Sequence, residues 1–204
     1  GGIFNDDIDR SLAIESLVRM VRDSCDTFID LSKPQNYTQP DLEKFGDGPI
    51  PGQPAVELSN RLVYARGKVN PNGTVTENSV KFGGQFHGHG ILVVDIDNPD
   101  DANLVLDGGA LWVGLIVVVC NKPPSSTNSK APFTTTGGSS NVNVIGGVIV
   151  YVRNADGTVI GKRLGSMSGS QCILPSEIAI LNSIALLPAP MQVRSWRGVP
   201  DHER

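Results

Sequence analysis

The most apolar stretch of the chain is residues 104–121, which reads LVLDGGALWVGLIVVVCN, and its partner is residues 142–152, which reads VNVIGGVIVYV. Both stretches are rich in Val and Ile and are bounded by Gly, Pro or Asn, which is typical of strands rather than helices. The uncharged run is too short for a membrane span, which needs about 20 apolar residues. We therefore predict two central strands of a packed sheet, each covered on both faces.

Composition limits the possible classes of protein. A chain of 204 residues suits one sizeable domain, or one domain with an appendage. Its 23 glycines and 14 prolines indicate many turns. Charged residues are 19% of the chain, below the usual level of about 25%, so the surface must rely on uncharged polar side chains. A net charge of −4 argues against a nonspecific nucleic-acid binder.

Residues 1–32 are predicted to be an N-terminal helical segment, with an amphipathic helix over 5–32. Acidic residues near its start interact favourably with the positive end of the helix dipole, which is at the N-terminus. Its apolar stripe steps by four and three residues and consists of Ile14, Val18, Val21, Cys25 and Phe28. The stripe either docks on the sheet of the same chain or meets copies of itself. Val18, Val21 and Phe28 are therefore candidate interface residues.

The rest of the chain divides by composition. Residues 33–54 are rich in proline and glycine and are predicted to be an extended arm or linker. Residues 55–204 form a β-rich domain, in which the Asn-Pro-Asn-Gly sequence at 70–73 predicts a hairpin. Residues 123–141 are predicted to be an exposed loop, because Ser, Thr, Pro and Gly dominate them.

A second hairpin over residues 150–159 resembles the first, and two such hairpins suit a sandwich of two sheets. The echo is too short to be read as a true repeat. Ser176 as N-cap and Glu177 in the first turn predict a short C-terminal helix over 176–187, although the isoleucines of this segment fit a strand nearly as well. The predicted fold is thus mainly β, or α+β by count: an antiparallel β-sandwich or jelly-roll-like domain with a helix near each end.

The pair His87 and His89 is the one metal-like element of the sequence. Alternation along a strand places both imidazoles on one face, at a spacing that could chelate a metal. A cupin-like site would add an upstream glycine and a downstream glutamate, but Lys81 stands at the first position and apolar residues at the second. No third ligand is evident, so we predict neither a metal nor a cofactor.

No catalytic residues are predicted, because no set of Ser, His and acid can be assembled. Gly165 to Gly169 resembles a nucleophile elbow, but Met167 stands in the nucleophile's place. Trp196 lies between Arg194 and Arg197, where it could stack on a sugar, a base or a partner side chain. These three residues complete the candidate interface.

We therefore expect a non-enzymatic structural or interaction protein that forms a homo-oligomer. A virion component, either a capsid subunit or a surface projection, fits the uncharged polar surface best. Its partners would be copies of itself, with other shell proteins or a surface glycan or receptor in addition. The alternatives are a carbohydrate- or receptor-binding module that uses Trp196, Trp112 or the 123–141 loop, and a cupin-like metal enzyme that uses His87 and His89.

The expected location is a virion, or otherwise a soluble protein made in a reducing compartment. Cys25, Cys120 and Cys172 are odd in number, far apart in the chain and in apolar surroundings. This pattern favours buried free thiols over a disulfide. We therefore expect neither a membrane span nor a signal peptide.

Overall fold

The computed structural model describes residues 6–46, 60–125, 131–136, 142–153, 164–167 and 172–188. Three helices occur in these ranges: α1 (Asp6–Ser24), α2 (Leu42–Phe45) and α3 (Glu177–Ile184). In the described part of the chain, no helix is both long enough and apolar enough to cross a membrane.

The strands alternate between two sheets along the chain. Sheet A contains β1 (Thr27–Asp30), β3 (Arg61–Arg66), β7 (His87–Ile96), β9 (Leu111–Cys120), β11 (Val142–Val152) and β13 (Cys172–Pro175). Sheet B contains β2 (Gln35–Tyr37), β6 (Val80–Phe82), β8 (Leu104–Asp107), β10 (Phe133–Thr136) and β12 (Gly165–Met167). A separate hairpin consists of β4 (Lys68–Val69) and β5 (Val75–Thr76).

Every pairing within sheets A and B is parallel, so the predicted antiparallel β-sandwich or jelly roll is wrong. The chain runs along one strand of sheet A, crosses to sheet B, and returns to sheet A beside its previous pass. Each strand therefore pairs with the strand one coil later, as in a β-solenoid. The pairing is parallel because the central strands are apolar on both faces, and strands buried on both faces are typical of parallel sheets.

The space between the two sheets holds the main hydrophobic core. Inward side chains of sheet A, such as Leu92 and Ile116, meet Phe82 and Leu104 from sheet B. The opposite face of sheet A is also apolar, and α1 and α3 cover it in a second core. The prediction that two central strands are covered on both faces is therefore confirmed for β9, whereas residues 147–151 of the second predicted strand, β11, are half-buried.

Sheet A contains a column of three glycines in adjacent strands, Gly90, Gly114 and Gly146. Their φ angles are +114°, +129° and +140°, a region that L side chains rarely adopt. A Cβ on Gly114 would lie 2.2 Å from the carbonyl oxygen of Gly90 and 2.3 Å from the hydroxyl of Ser183 on α3. Glycine thus allows both the strands and α3 to approach closely.

Some local predictions are confirmed. The hairpin at Asn70 forms, with Gly73 at φ +79° and the antiparallel pair β4 and β5 on either side. The C-terminal helix begins as predicted, since the Ser176 hydroxyl accepts a hydrogen bond from the amide of Ala179. The second predicted hairpin lies mostly outside the described residues.

Other predicted boundaries are wrong. The first helix ends at Ser24, and residues 27–30 form β1 rather than more helix. The range 33–54 includes β2, which pairs with β6, and α2, whose Phe45 is fully buried. The predicted loop 123–141 includes strand β10. Some of the residues assigned to an arm and a loop therefore belong to strands of the two sheets.

Candidate functional site

A buried charged cluster lies at the carboxyl end of sheet A, under α1. Asp95 is 2% exposed, and Arg153 bonds it through Nη1 at 2.7 Å and Nη2 at 3.2 Å. The Tyr64 hydroxyl donates to Asp95 at 2.8 Å, and Arg66 lies 3.4 Å from the same carboxylate. Arg153 also donates to Glu15 of α1 at 2.9 Å. The cluster therefore joins α1 to β3, β7 and the end of β11.

The members of this cluster neutralise one another. Burial acts to lower the pKa of Arg153, but the hydrogen bonds and charges of Asp95 and Glu15 outweigh it and raise that pKa. Burial and the charge of Asp95 raise the pKa of Tyr64 to about 12, so the phenol keeps its proton at neutral pH. A protonated phenol bonded to a paired carboxylate is a poor base and a poor nucleophile. The cluster fits a structural fastening of α1 better than a catalytic site.

The two histidines share the helix-facing side of β7. His89 is buried, and His87 is half-buried. Among the described residues, no group of three or more His, Cys, Asp or Glu side chains is placed to hold a metal ion. The cupin-like barrel expected for this pair is not formed, because the sheets are parallel.

The predicted interface residues are widely separated. Val18 and Val21 are buried against sheet A of the same chain. Of the two alternatives for the helix stripe, these residues follow the one in which the helix docks on its own sheet. Phe28 lies on β1 and is 58% exposed. Trp112 is fully buried and stacks on Phe86, so it offers no binding surface. Arg194, Trp196 and Arg197 lie outside the described residues.

Two of the three cysteines are described as free thiols. Cys25 is half-buried, and burial raises its pKa. Cys120 is buried in the main core, where burial raises its pKa to about 12. A thiol with so high a pKa is a poor nucleophile at neutral pH. The side chain of Cys172 lies outside the described residues.

The two ends of the solenoid form a second candidate site. At the N-terminal end, β1 and β2 are the outermost strands of sheets A and B, and we call this surface the head. At the C-terminal end, β13 and β12 are outermost, and we call this surface the tail. An outermost strand has one side on which its backbone amides and carbonyls meet no further strand of the described sheet.

These end strands carry almost no charge. The sequences of β2, β12 and β13 contain no charged residue, and Asp30 is the one charged residue of β1. Edge strands of proteins that stay monomeric are commonly protected by charged side chains, lysine above all. The head and tail thus lack a common protection against strand pairing.

Exposed apolar side chains concentrate near the tail. Among the described residues, seven large apolar side chains are exposed, and four of them lie in β13 and around α3: Leu174, Ile178, Leu181 and Leu186. Ile178 is 74% exposed and Leu174 is 47% exposed. On the outward side of α3, Ile178 and Leu181 lie beside the exposed polar residues Glu177 and Asn182. A group of exposed large apolar side chains often marks an interaction surface.

Besides the resemblance between the two predicted hairpins, the sequence contains a second signal for the coils, which the predictions above did not use. A glycine followed by four apolar residues occurs at Gly90 and Gly114, and a close variant begins at Gly146. These glycines occupy one column of sheet A. Recurrence of this motif once per coil is the kind of repeat that marks a solenoid.

Neither a family model, nor a curated protein, nor a solved structure matches this chain.

Proposed function

We propose that this chain is a non-enzymatic structural protein that associates with copies of itself through the ends of its solenoid. The observation that carries the proposal is the tail, where an uncharged edge strand adjoins the largest group of exposed apolar side chains. Leu174 belongs to β13 itself, and Ile178 and Leu181 follow on α3. Burying such side chains contributes about 25 cal/mol per Å² of apolar surface removed from water.

The contrast with the rest of the described surface supports this proposal. The outward face of sheet B carries polar side chains, including Lys81 and Thr134, and it has no covering helix in the described part of the chain. Repeat proteins need end caps with a polar outer face to remain soluble as single copies. The tail has instead an apolar character, which favours association.

The more specific expectation of a virion component is not carried forward. The jelly-roll architecture that accompanied it is wrong, and no feature of the described residues indicates a virion, a capsid or a receptor-binding surface. The proposal concerns the mode of assembly and not its biological location.

The test is the molar mass of the protein, measured by size-exclusion chromatography with light scattering across the micromolar range. We expect the mass to rise with concentration for the wild-type chain. The variants Leu174→Lys and Ile178→Lys should lower the mass toward that of one copy, because each places a charge in the apolar contact. Both side chains are exposed, so neither change should prevent folding.

The matched control is Val69→Lys. Val69 is 54% exposed, but it belongs to the separate hairpin of β4 and β5 and to neither of the two sheets whose ends form the head and the tail. This variant should associate as the wild type does. Wild-type protein that stays at the mass of one copy throughout would refute the proposal, as would equal effects of the Val69 and Leu174 changes.

A further inference from the structure

The outermost strands of sheet A are half-length, and each occupies a different half of the sheet. At the tail, β13 pairs with the first half of β11, and its last pair is Pro175 with Gly146. At the head, β1 pairs with the second half of β3, from Thr27 beside Val63 to Asp30 beside Arg66. The register through β7 and β9 puts Val63 in the same column as Val148, and Arg66 in the same column as Tyr151.

The second half of β11 therefore has room for one more strand. Within the described chain, no strand pairs with Val148–Tyr151 on the side away from β9. These four residues are half-buried, whereas their neighbours Ile116–Val119 on β9 are fully buried. We call this position the tail slot.

We infer that the tail slot receives β1 of a second copy, so that β13 of one copy and β1 of the next together form one full strand of a continuous sheet. This inference rests on the proposed self-association and names its partner surface. The register places Thr27 beside Val148, and Asp30 beside Tyr151. All strands of sheet A are parallel, so a second copy related by translation along the solenoid presents β1 in the required direction.

Side chains match across the proposed junction. Ile29 points into the main core, as does Val150, which would be its neighbour in the slot. Phe28 and Ile149 both face the helix side of the sheet, where Phe28 contacts Tyr64. An exposed aromatic ring at the head thus meets a half-buried aliphatic side chain at the tail, and both become covered.

Sheet B supports the same arrangement independently. Through β6, β8 and β10, the three residues of β2 occupy the same three columns as the three residues of β12. A second copy that places β1 in the tail slot also places β2 directly beside β12. The incomplete last coil of one copy and the first coil of the next therefore make one complete coil.

This contact uses a different surface on each partner, so it does not close on itself. Each added copy leaves a new tail free, and such contacts produce open filaments when no rotation closes a ring. One copy contributes five layers of sheet B. At about 4.8 Å per layer, the filament would repeat every ~24 Å along its axis.

The test is a register-specific disulfide between two variants of the full chain. Phe28→Cys and Ile149→Cys, mixed under mild oxidation, should give a bridged dimer, because directly paired residues of adjacent strands lie within disulfide range. Peptide mapping separates this bridge from any that involves Cys25, Cys120 or Cys172. Circular dichroism of each variant confirms that it is folded.

The matched control mixes Phe28→Cys with Ile145→Cys. Ile145 is half-buried on the same strand, but it lies four positions from Ile149, or about 13 Å along the strand, too far for a bridge to the thiol introduced in place of Phe28. Formation of the first bridge without the second, together with the ~24 Å repeat in electron micrographs, supports the inference.

Two results would overturn it, and they are distinguishable. Association that occurs without the first bridge, or whose mass levels off at two copies, refutes the head-to-tail register but keeps self-association. A wild-type chain that never exceeds the mass of one copy refutes both.

Discussion

Sheets A and B share one core but differ in their outer faces. Sheet A has central strands of ten or eleven residues, and its outer face is buried under α1 and α3. Sheet B has strands of three or four residues, and its outer face carries polar side chains. The same parallel pairing thus occurs in a sheet that is buried on both faces and in a sheet that is buried on one face. The side chains on the outer face determine whether that face is covered.

The difference is clearest in two ion pairs. Asp95 and Arg153 form a pair on the helix side of sheet A, where the Asp95 side chain is 2% exposed. Lys81 and Asp107 form a pair on the outer face of sheet B, where their side chains are 46% and 31% exposed. Water screens the second pair much more than the first. Substitutions at matched positions of the two sheets should therefore differ in their effects.

The largest expected effect is at the glycine column. Gly114→Ala should lower the free energy of unfolding by about 4 kcal/mol or more, because Cβ would overlap the Gly90 carbonyl and the φ angle of +129° is strained for alanine. The matched change in sheet B is Gly165→Ala, whose Cβ would meet nothing within 4 Å. It should stay within about 0.5 kcal/mol of wild type. Urea unfolding measures both, and equal losses would contradict the role of the column.

The next largest effect concerns the two ion pairs. Asp95→Asn should cost about 3 kcal/mol, because it leaves the Arg153 charge buried without its main partner. Asp107→Asn removes the carboxylate from the exposed pair and should cost less than about 1 kcal/mol. Thermal unfolding at equal ionic strength measures the difference. A small cost at Asp95 would mean that Glu15 and Asn121 hold Arg153 without Asp95, and the role assigned to Asp95 in fastening α1 would then be wrong.

Local signals in the sequence predicted local structure well. Ser176 and Glu177 predicted the start of α3, and Pro71 and Gly73 predicted the hairpin, because caps and turns depend on a few adjacent residues. The apolar run around Val117 predicted a central strand covered on both faces. The same doubly apolar pattern favours parallel pairing. Antiparallel pairing was nonetheless expected, and that expectation was wrong.

The ends of the solenoid could not be predicted in the same way. Phe28 continued the spacing of the helix stripe, and nothing nearby in sequence marks Ser24 as the last helical residue. The side chain of Asp26 accepts a hydrogen bond from the backbone amide of Leu62. The start of β1 is therefore held by a contact between segments that are distant in sequence. Whether β1 and β13 occupy different halves of the sheet depends on the register of every strand between them, which no local pattern encodes.

The smallest of the expected effects appears in alkaline solution. Tyr64 has a pKa of about 12 in the folded chain, against about 10 for an exposed tyrosine. Between these values the unfolded chain has lost the proton and the folded chain still holds it, so the free energy of unfolding falls as the pH rises. Below pH 10 the stabilisation is complete, and above pH 12 the free energy of unfolding has fallen by about 2.7 kcal/mol.

The Tyr64→Phe variant should lack this part of the pH dependence, because phenylalanine has no proton to lose. Urea unfolding of both proteins at intervals between pH 9 and pH 12 measures the difference. The matched change is Tyr37→Phe at the edge of sheet B. Burial also raises the pKa of Tyr37. Its hydroxyl, however, donates its hydrogen bond to the amide oxygen of Gln35 and not to a carboxylate. It should therefore remove less of the pH dependence than Tyr64→Phe does, and the opposite order would mean that burial alone, without Asp95, distinguishes the two sheets.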